Sequence, residues 1–246
     1  MINSAGPIAC LCASLVLAAC NSGPSSPGPD KTAVLERKAV FYEDLAARRD
    51  EAARAWDAIA GALPDRLWPT EIVYDGGEAR VAGRVLSNDL LADFISRLEK
   101  SPHLTGVDLR SSVQKKGRTG DYHEFTIAAR ADNAGERAPV GTPETLLAAR
   151  PGTADGLREL QRLASDRGLR MTKCVFGQAR SGEFAGELAV SIEIEGGRAE
   201  IGRYLDGLAR LPHFWFVKKV GAKAANPSDP RSSLKAAVSA LAYYPD

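Results

Sequence analysis

The chain contains an internal repeat with an offset of 110 residues, which constrains its fold more than any other feature of the sequence. The repeated segment is an apolar helix face that ends at a proline and a histidine. The matched apolar pairs are Leu91 and Ile201, Phe94 and Tyr204, Ile95 and Leu205, and Leu98 and Leu208. Pro102-His103 matches Pro212-His213, and Val107 matches Val217. Because a core face and its stop signal recur together, we expect two copies of one supersecondary unit.

The first copy has the predicted order helix, strand, strand, helix, strand, strand. Residues 33–62 are rich in Ala, Glu and Arg and contain no Gly or Pro before Gly61, so they favour one long helix. Asp75-Gly76-Gly77 predicts a tight turn, and Ser87 is a suitable helix cap. The elements that follow the long helix are predicted at 68–74, 78–85, 87–100, 107–110 and 123–127.

The second copy repeats this order. Apolar and polar residues alternate cleanly from Leu188 to Ile194, which indicates a strand with one buried face. Residues 234–244 are ambiguous, because their alanine content favours a helix whereas the repeat favours a last strand. The other elements are predicted as helices at 157–166 and 198–211 and strands at 170–176 and 213–220.

The N-terminus resembles the signal of bacterial lipoproteins. Leu17-Ala18-Ala19-Cys20 ends an apolar run that begins at Leu11 and is too short to span a bilayer. Residues 21–31 are rich in Gly, Ser and Pro. The resemblance implies a signal peptide over residues 1–19, cleavage after Ala19, lipidation of Cys20 and a flexible tether over residues 20–32. The protein would then be anchored in the cell envelope facing the periplasm, with the choice between inner and outer membrane left open.

These segments together predict an α+β fold. An antiparallel sheet with helices on one face would bury the apolar stripes, and the ferredoxin-like sandwich is the obvious arrangement. We expect two tandem ferredoxin-like (αββαββ) modules preceded by a helix and a lipidated flexible tether. The helix and first module would occupy residues 33–132, a linker residues 133–153, and the second module residues 154–246.

Composition and motifs argue against several classes of function. The 32 basic and 31 acidic residues nearly cancel, so no nucleic-acid partner is expected. Cys174 is the one cysteine after Cys20, so no cysteine pair is available there for a disulfide or a structural metal site. The common hydrolase, metalloprotease and nucleotide-binding motifs are missing from the sequence. We therefore predict a non-enzymatic protein with no catalytic residue, metal site or cofactor.

Five apolar residues are candidate positions for a partner interface. Phe41, Leu45 and Trp56 lie on one stripe of the long helix, which would dock on the next domain or on a partner helix. Trp215 and Phe216 are adjacent in a predicted strand, so one of them must point away from its own core. That aromatic side chain would contact the other module or a partner, or the linker would cover it.

His103 and His213 occupy equivalent positions in the repeat, directly after a proline. Equivalent placement favours a structural role at the corner between helix and strand rather than a role as ligands. Lys115, Lys116 and Arg118 fall at a predicted hairpin tip, which is either a solvated turn or a contact for lipid headgroups or an acidic partner.

Many short segments of the first half resemble, in order, the periplasmic part of PilN, a fimbrial assembly protein of type IV pilus machines. The resemblance covers roughly residues 35–131, at 63–68, 78–83, 87–88, 94–102, 107–109 and 125–127. The second half, 156–244, resembles PilO more loosely, at 188–194, 202–204 and 208–212. Both families are ferredoxin-like and pair with each other in a frame that links the inner membrane to the outer secretin, and type II secretion has relatives of both.

The resemblance implies a non-enzymatic envelope lipoprotein that helps assemble or align a type IV pilus or type II secretion-like machine through protein–protein contacts. Its partners would be the membrane, through the lipid anchor, and PilM-, PilP- or secretin-like proteins. The two modules would pair within one chain, or the chain would form a homodimer. The alternative is an envelope lipoprotein that binds a small ligand, or a small hydrolase whose site is built from residues far apart in sequence.

Overall fold

The structure is a computed structural model that describes residues 29–117, 120–132, 147, 150–226 and 232–245. Ala19, Cys20 and Arg118 lie outside the described residues, as does most of the predicted linker. Of the described residues, those up to Glu36 belong to one compact unit and those from Arg37 onward to a second, which contains every strand given below. Among the described residues, no helix is both long and apolar enough to cross a membrane.

The secondary structure follows the predicted double order. The helices are α1 (Pro29–Arg48), α2 (Glu51–Ala62), α3 (Asn88–Glu99), α4 (Thr153–Asp166) and α5 (Arg198–Arg210). The strands are β1 (Leu67–Asp75), β2 (Glu78–Val85), β3 (Leu104–Gly117), β4 (Gly120–Ala131), β5 (Arg170–Ser181), β6 (Gly186–Gly196), β7 (Phe214–Ala224) and β8 (Leu234–Tyr244). The first module thus runs from α2 to β4 and the second from α4 to β8.

The prediction of one long helix over residues 33–62 is wrong, because the chain turns at Arg49-Asp50 between α1 and α2. The reason lies in what the two helices bury. Tyr42 and Leu45 of α1 join one apolar cluster, whereas Trp56 and Ile59 of α2 join another. A single straight helix cannot bury side chains in both clusters, since these form on opposite faces of the sheet.

All eight strands form one antiparallel sheet in the order β3-β4-β2-β1-β7-β8-β6-β5. Within each module the spatial order is third, fourth, second and first strand, so the second module repeats the first. The ambiguous segment 234–244 is the strand β8, which pairs with β6 on one side and β7 on the other. The predicted α+β fold of two tandem ferredoxin-like modules preceded by a helix is therefore confirmed.

The main core lies between one face of the sheet and four helices. Side chains from α2, α3, α4 and α5 join inward residues of both modules in one continuous apolar cluster. Ser87 caps α3 by accepting a hydrogen bond from the Leu90 amide, as its sequence position predicts. Because the cluster does not stop at the boundary between the modules, the two halves share a core.

Candidate functional site: the contact between the modules and the N-terminal helix

The two modules join through the edge strands β1 and β7. Residues 71–75 pair in antiparallel register with residues 219–223. Two ion pairs cross this junction: Lys223 Nζ lies 3.2 Å from Glu71 Oε1, and Lys219 Nζ lies 2.8 Å from Asp75 Oδ2. Because these ion pairs are exposed, they contribute little to the stability of the junction, and their main effect is on the register of the two strands.

Helix α2 reinforces the junction on the core side by packing against α5 of the second module. The Trp56 side chain is 2% exposed, and its Nε1 donates a hydrogen bond to the Arg198 carbonyl over 3.0 Å. The two helices approach closely because Gly202 of α5 lacks a side chain. A Cβ there would lie 3.0 Å from Trp56 Cδ1 and would overlap Asp57 Oδ1. Trp56, a predicted interface residue, therefore lies at an interface between modules.

The opposite face of the sheet carries a second apolar cluster, which we call the reverse-face cluster. Its buried members are Tyr42, Leu45, Leu147, Ala185, Phe214, Phe216 and Tyr243. Trp215 points the other way, into the main core, so the prediction that Trp215 and Phe216 occupy opposite faces is confirmed. The linker region, one of the covers considered for the outward aromatic, supplies Leu147, whereas Tyr42 and Leu45 come from α1, which was not considered as a cover for it.

Polar groups fix α1 on the reverse-face cluster. The Arg48 and Arg49 guanidinium groups lie 5.4 Å and 4.7 Å from the ring centroids of Phe216 and Phe214. Arg49 Nη2 also donates a hydrogen bond to the Leu211 carbonyl over 2.7 Å. The Tyr42 hydroxyl donates to the Phe184 carbonyl over 2.8 Å. Since the contacts of Tyr42 and Arg48 are more than one helical turn apart, they set the position and rotation of the part of α1 that follows Glu36.

A buried carboxylate marks the turn between α1 and α2. Glu51 is 4% exposed, and its Oε2 accepts a hydrogen bond from Arg48 Nε over 3.2 Å. Burial first, and then the neighbouring Glu51 carboxylate, raises the pKa of Tyr74 on β1 above its ordinary value. Gly77 has a φ of +92°, and a Cβ there would lie 3.2 Å from Glu51 Oε1. The helix turn and the β1–β2 turn are thus packed together around one charged group.

The structure places the five predicted interface residues against parts of the same chain. Leu45, Trp56, Trp215 and Phe216 are buried, and Phe41 is half-buried beside Tyr243 and Phe184. Residues that the sequence reasoning missed are Tyr42, Arg48, Arg49 and Tyr243. Tyr42 and Leu45 are three positions apart on α1, and Arg49 follows four positions later in the turn, a spacing that could have identified the face that contacts the reverse-face cluster.

His103 and His213 lie at the predicted helix-to-strand corners, between α3 and β3 and between α5 and β7. His213 Nδ1 is 2.9 Å from Glu159 Oε2 of α4, so it links the corner to a neighbouring helix. Cys174 is half-buried in β5, and burial raises the pKa of its thiol. Within the described part of the chain, no group of three or more His, Cys, Asp or Glu residues could hold a metal ion.

Comparisons with known proteins give two findings of similarity. A search of the curated proteins finds no match. Among solved structures, the crystal structure of the type 4 fimbrial biogenesis protein PilO from Pseudomonas aeruginosa is similar at 20% sequence identity, with a TM-score of 0.36. The match covers 38% of this chain and 69% of that chain. Residues 54–131 match the family model described as Fimbrial assembly protein (PilN), so the PilN resemblance of the first half is confirmed over these residues.

Proposed function

We propose that this protein is a non-enzymatic structural element of the cell envelope that helps assemble or align a type IV pilus or type II secretion-like machine. The observation that supports this proposal most strongly is the match of residues 54–131 to the PilN family model. Its action would consist of protein–protein contacts, with PilM-, PilP- or secretin-like proteins as partners.

The geometry of the first module agrees with such a role. The PilN-matching segment is a sheet and two helices that share a core with the second module. Pairing β1 with β7 holds both modules in one orientation, as a part that aligns other proteins requires. If the second half acts as its looser PilO resemblance implies, a PilN-like and a PilO-like module are joined in one chain. The contact between them then forms within the chain, at a high effective concentration, instead of between two separate proteins.

We also propose that Cys20 is lipidated and that the tether connects this anchor to α1. The tether was predicted over residues 20–32, but α1 begins at Pro29, so the last four of these residues belong to the helix instead. Support comes from the sequence Leu17-Ala18-Ala19-Cys20 and from the small and polar residues that follow it. One acyl chain gives only marginal membrane binding, so stable anchoring requires more than one. A Cys20→Ser chain should move from the membrane fraction to the soluble fraction, whereas a Cys12→Ser chain should stay with the membrane.

The function is tested by affinity purification of the tagged full chain from crosslinked native membranes, followed by mass spectrometry. Recovery of a secretin, a pilin, or PilM- or PilP-type proteins is the expected result. The Cys20→Ser chain is the matched control, since it retains every folded contact but should lose partners that require the membrane. Recovery of unrelated proteins alone, with the same set from both chains, would contradict the proposal.

A further inference from the structure

Each outer edge of the sheet is formed by a strand that is equivalent, in the repeat, to one of the two strands that join the modules inside the chain. At the internal junction, β1 is the first strand of its module and β7 is the third strand of its own. The outer strands are β3, the third strand of the first module, and β5, the first strand of the second. A first-strand edge and a third-strand edge of this module are therefore both open, at opposite ends of one sheet.

Both outer strands are long and solvent-exposed. β3 has 14 residues and β5 has 12, and within the described part of the chain no strand pairs with the outer side of either. Their exposed apolar side chains include Leu109 at 41%, Val113 at 50% and Val175 at 47%. An unpaired edge with apolar side chains is a template for pairing with another strand.

The helix layer resembles the sheet in having one helix from each module at its ends. α2 packs against both α3 and α5, whereas α4 packs against α5. The helices therefore lie in the order α3, α2, α5, α4, with α3 and α4 at the ends. In the repeat, α4 corresponds to α2 and α3 corresponds to α5. A copy added at the open edge would thus place its α3 beside α4, as α5 lies beside α2 within the chain.

The register of the internal junction transfers to the outer edges. Aligning the buried positions of the two strands, Val81 with Val190 and Gly83 with Ile192, puts Ala82 of β2 at the place of Ser191 of β6, an offset of 109 residues in these strands. Ala82 pairs with Glu71, and Ser191 pairs with Val175. Lys223 and Lys115 are equivalent in the same way through β8 and β4. Because Glu71 faces Lys223 inside the chain, Val175 of one copy would face Lys115 of the next.

The charges distinguish the internal junction from the outer edges. The two internal ion pairs have no counterpart between β5 and β3, because Val175 stands where Glu71 stands at the internal junction. Lys173 and Arg170 on β5 are already paired with Glu193 and Glu195 of β6, at 3.2 Å and 2.6 Å. Pairing between copies would bring the remaining basic residues of both edges together, so we expect high salt to strengthen it by screening.

We propose that copies of this chain associate head to tail, with β5 of one copy pairing antiparallel with β3 of the next and extending the eight-stranded sheet. Such a heterologous contact gives a ring where the rotation between copies closes and an open row where it does not. The proposal rests on the topology and on the exposed edges, and it stands apart from the proposed function.

The test is disulfide crosslinking between two single-cysteine versions of the full chain, whose four native cysteines are replaced by serine. One version has Lys115→Cys and the other has Val175→Cys, both at exposed positions that should leave folding intact. The control mixture pairs Val175→Cys with Arg80→Cys, since Arg80 is exposed but lies on β2, which has strands on both sides. Circular dichroism verifies that each version is folded.

At high salt, oxidation of the first mixture should give a mixed dimer several-fold above the control mixture. Sedimentation of the uncrosslinked chain should show a mass that rises with concentration beyond one copy. A monomer at every concentration, with equal crosslinking in both mixtures, would overturn the proposal. Preferential dimers of Lys115→Cys with itself would also overturn it, because they indicate symmetric pairing of two β3 edges.

Discussion

Trp56 is the side chain whose removal should weaken the contact between the modules most. Its indole is 2% exposed in the shared core, and it joins α2 to α5 through the hydrogen bond to the Arg198 carbonyl. Replacing a buried tryptophan by alanine costs about 3–5 kcal/mol of unfolding free energy, because the neighbours fill the cavity only in part. About 1 kcal/mol of this loss is due to the hydrogen bond. We therefore expect Trp56→Ala to lower the free energy of unfolding by about 3–5 kcal/mol.

Urea unfolding followed by far-ultraviolet circular dichroism measures this change without depending on tryptophan fluorescence. The unmodified chain should unfold in one transition, since its core and sheet are continuous across the modules. Trp56→Phe is the matched control, because it keeps most of the apolar volume but loses the donor Nε1. It should cost about 1–2 kcal/mol. A loss below about 1 kcal/mol for Trp56→Ala would refute the assignment of Trp56 to a buried contact between modules.

Three further predictions concern the same contacts. Gly202→Val should lower the unfolding free energy by about 1–3 kcal/mol in urea titrations, because the added side chain overlaps α2 near Trp56; an unchanged midpoint would exclude the close helix approach. Burial raises the pKa of Tyr243 to about 12, so the unfolded chain loses this proton first as the pH rises above about 10. Stability should therefore decline between pH 10 and pH 12 in thermal melts, and Tyr243→Phe should reduce that decline; an identical decline in the variant would refute this explanation. Asp75→Asn should change the unfolding free energy by less than about 1 kcal/mol, since its ion pair with Lys219 is exposed, and a loss of several kcal/mol would mean that this pair stabilises the junction strongly.

The repeat and the alternation of apolar residues were sufficient to predict most elements of the fold. Leu188 to Ile194 alternates strictly because one face of β6 is buried and the other is not. The matched positions of α3 and α5 are buried except for Ile95, which is half-buried against the same core, so the offset of 110 residues in these helices corresponds to a real structural repeat. These signals are local, and burial on one side of an element is enough to produce them.

Two local features were decided by tertiary contacts instead. β8 is rich in alanine, which favours a helix, but β6 and β7 pair with it on both sides and impose the extended form. Residues 49 and 50 show no helix-breaking signal, and the chain turns there because α1 and α2 bury their apolar faces on opposite sides of the sheet. Neither outcome follows from the propensity of the segment itself.

The sequence predicted which residues belong to the candidate site but did not predict which residues they contact. Trp56 and Phe216 stood out as large apolar side chains, but their contacts are with Arg198 of α5 and Arg48 of α1. The choice of β7 as the partner of β1 depends on which edges remain open after each module folds. Cross-strand ion pairs such as Glu71 with Lys223 agree with that choice but are too common to predict it.

The central claim is that the two modules form one sheet within one chain, and an introduced disulfide across β1 and β7 tests it most directly. Val73 lies opposite Gly221 in the observed register, and a Cβ at Gly221 has no heavy atom within 4 Å. In a chain with its native cysteines replaced by serine, Val73→Cys with Gly221→Cys should oxidise readily to a monomer that migrates faster on a non-reducing gel. The pair Val73→Cys with Lys115→Cys should not form this species. Failure of the first pair to form a disulfide within one chain, or disulfides only between chains, would contradict the account.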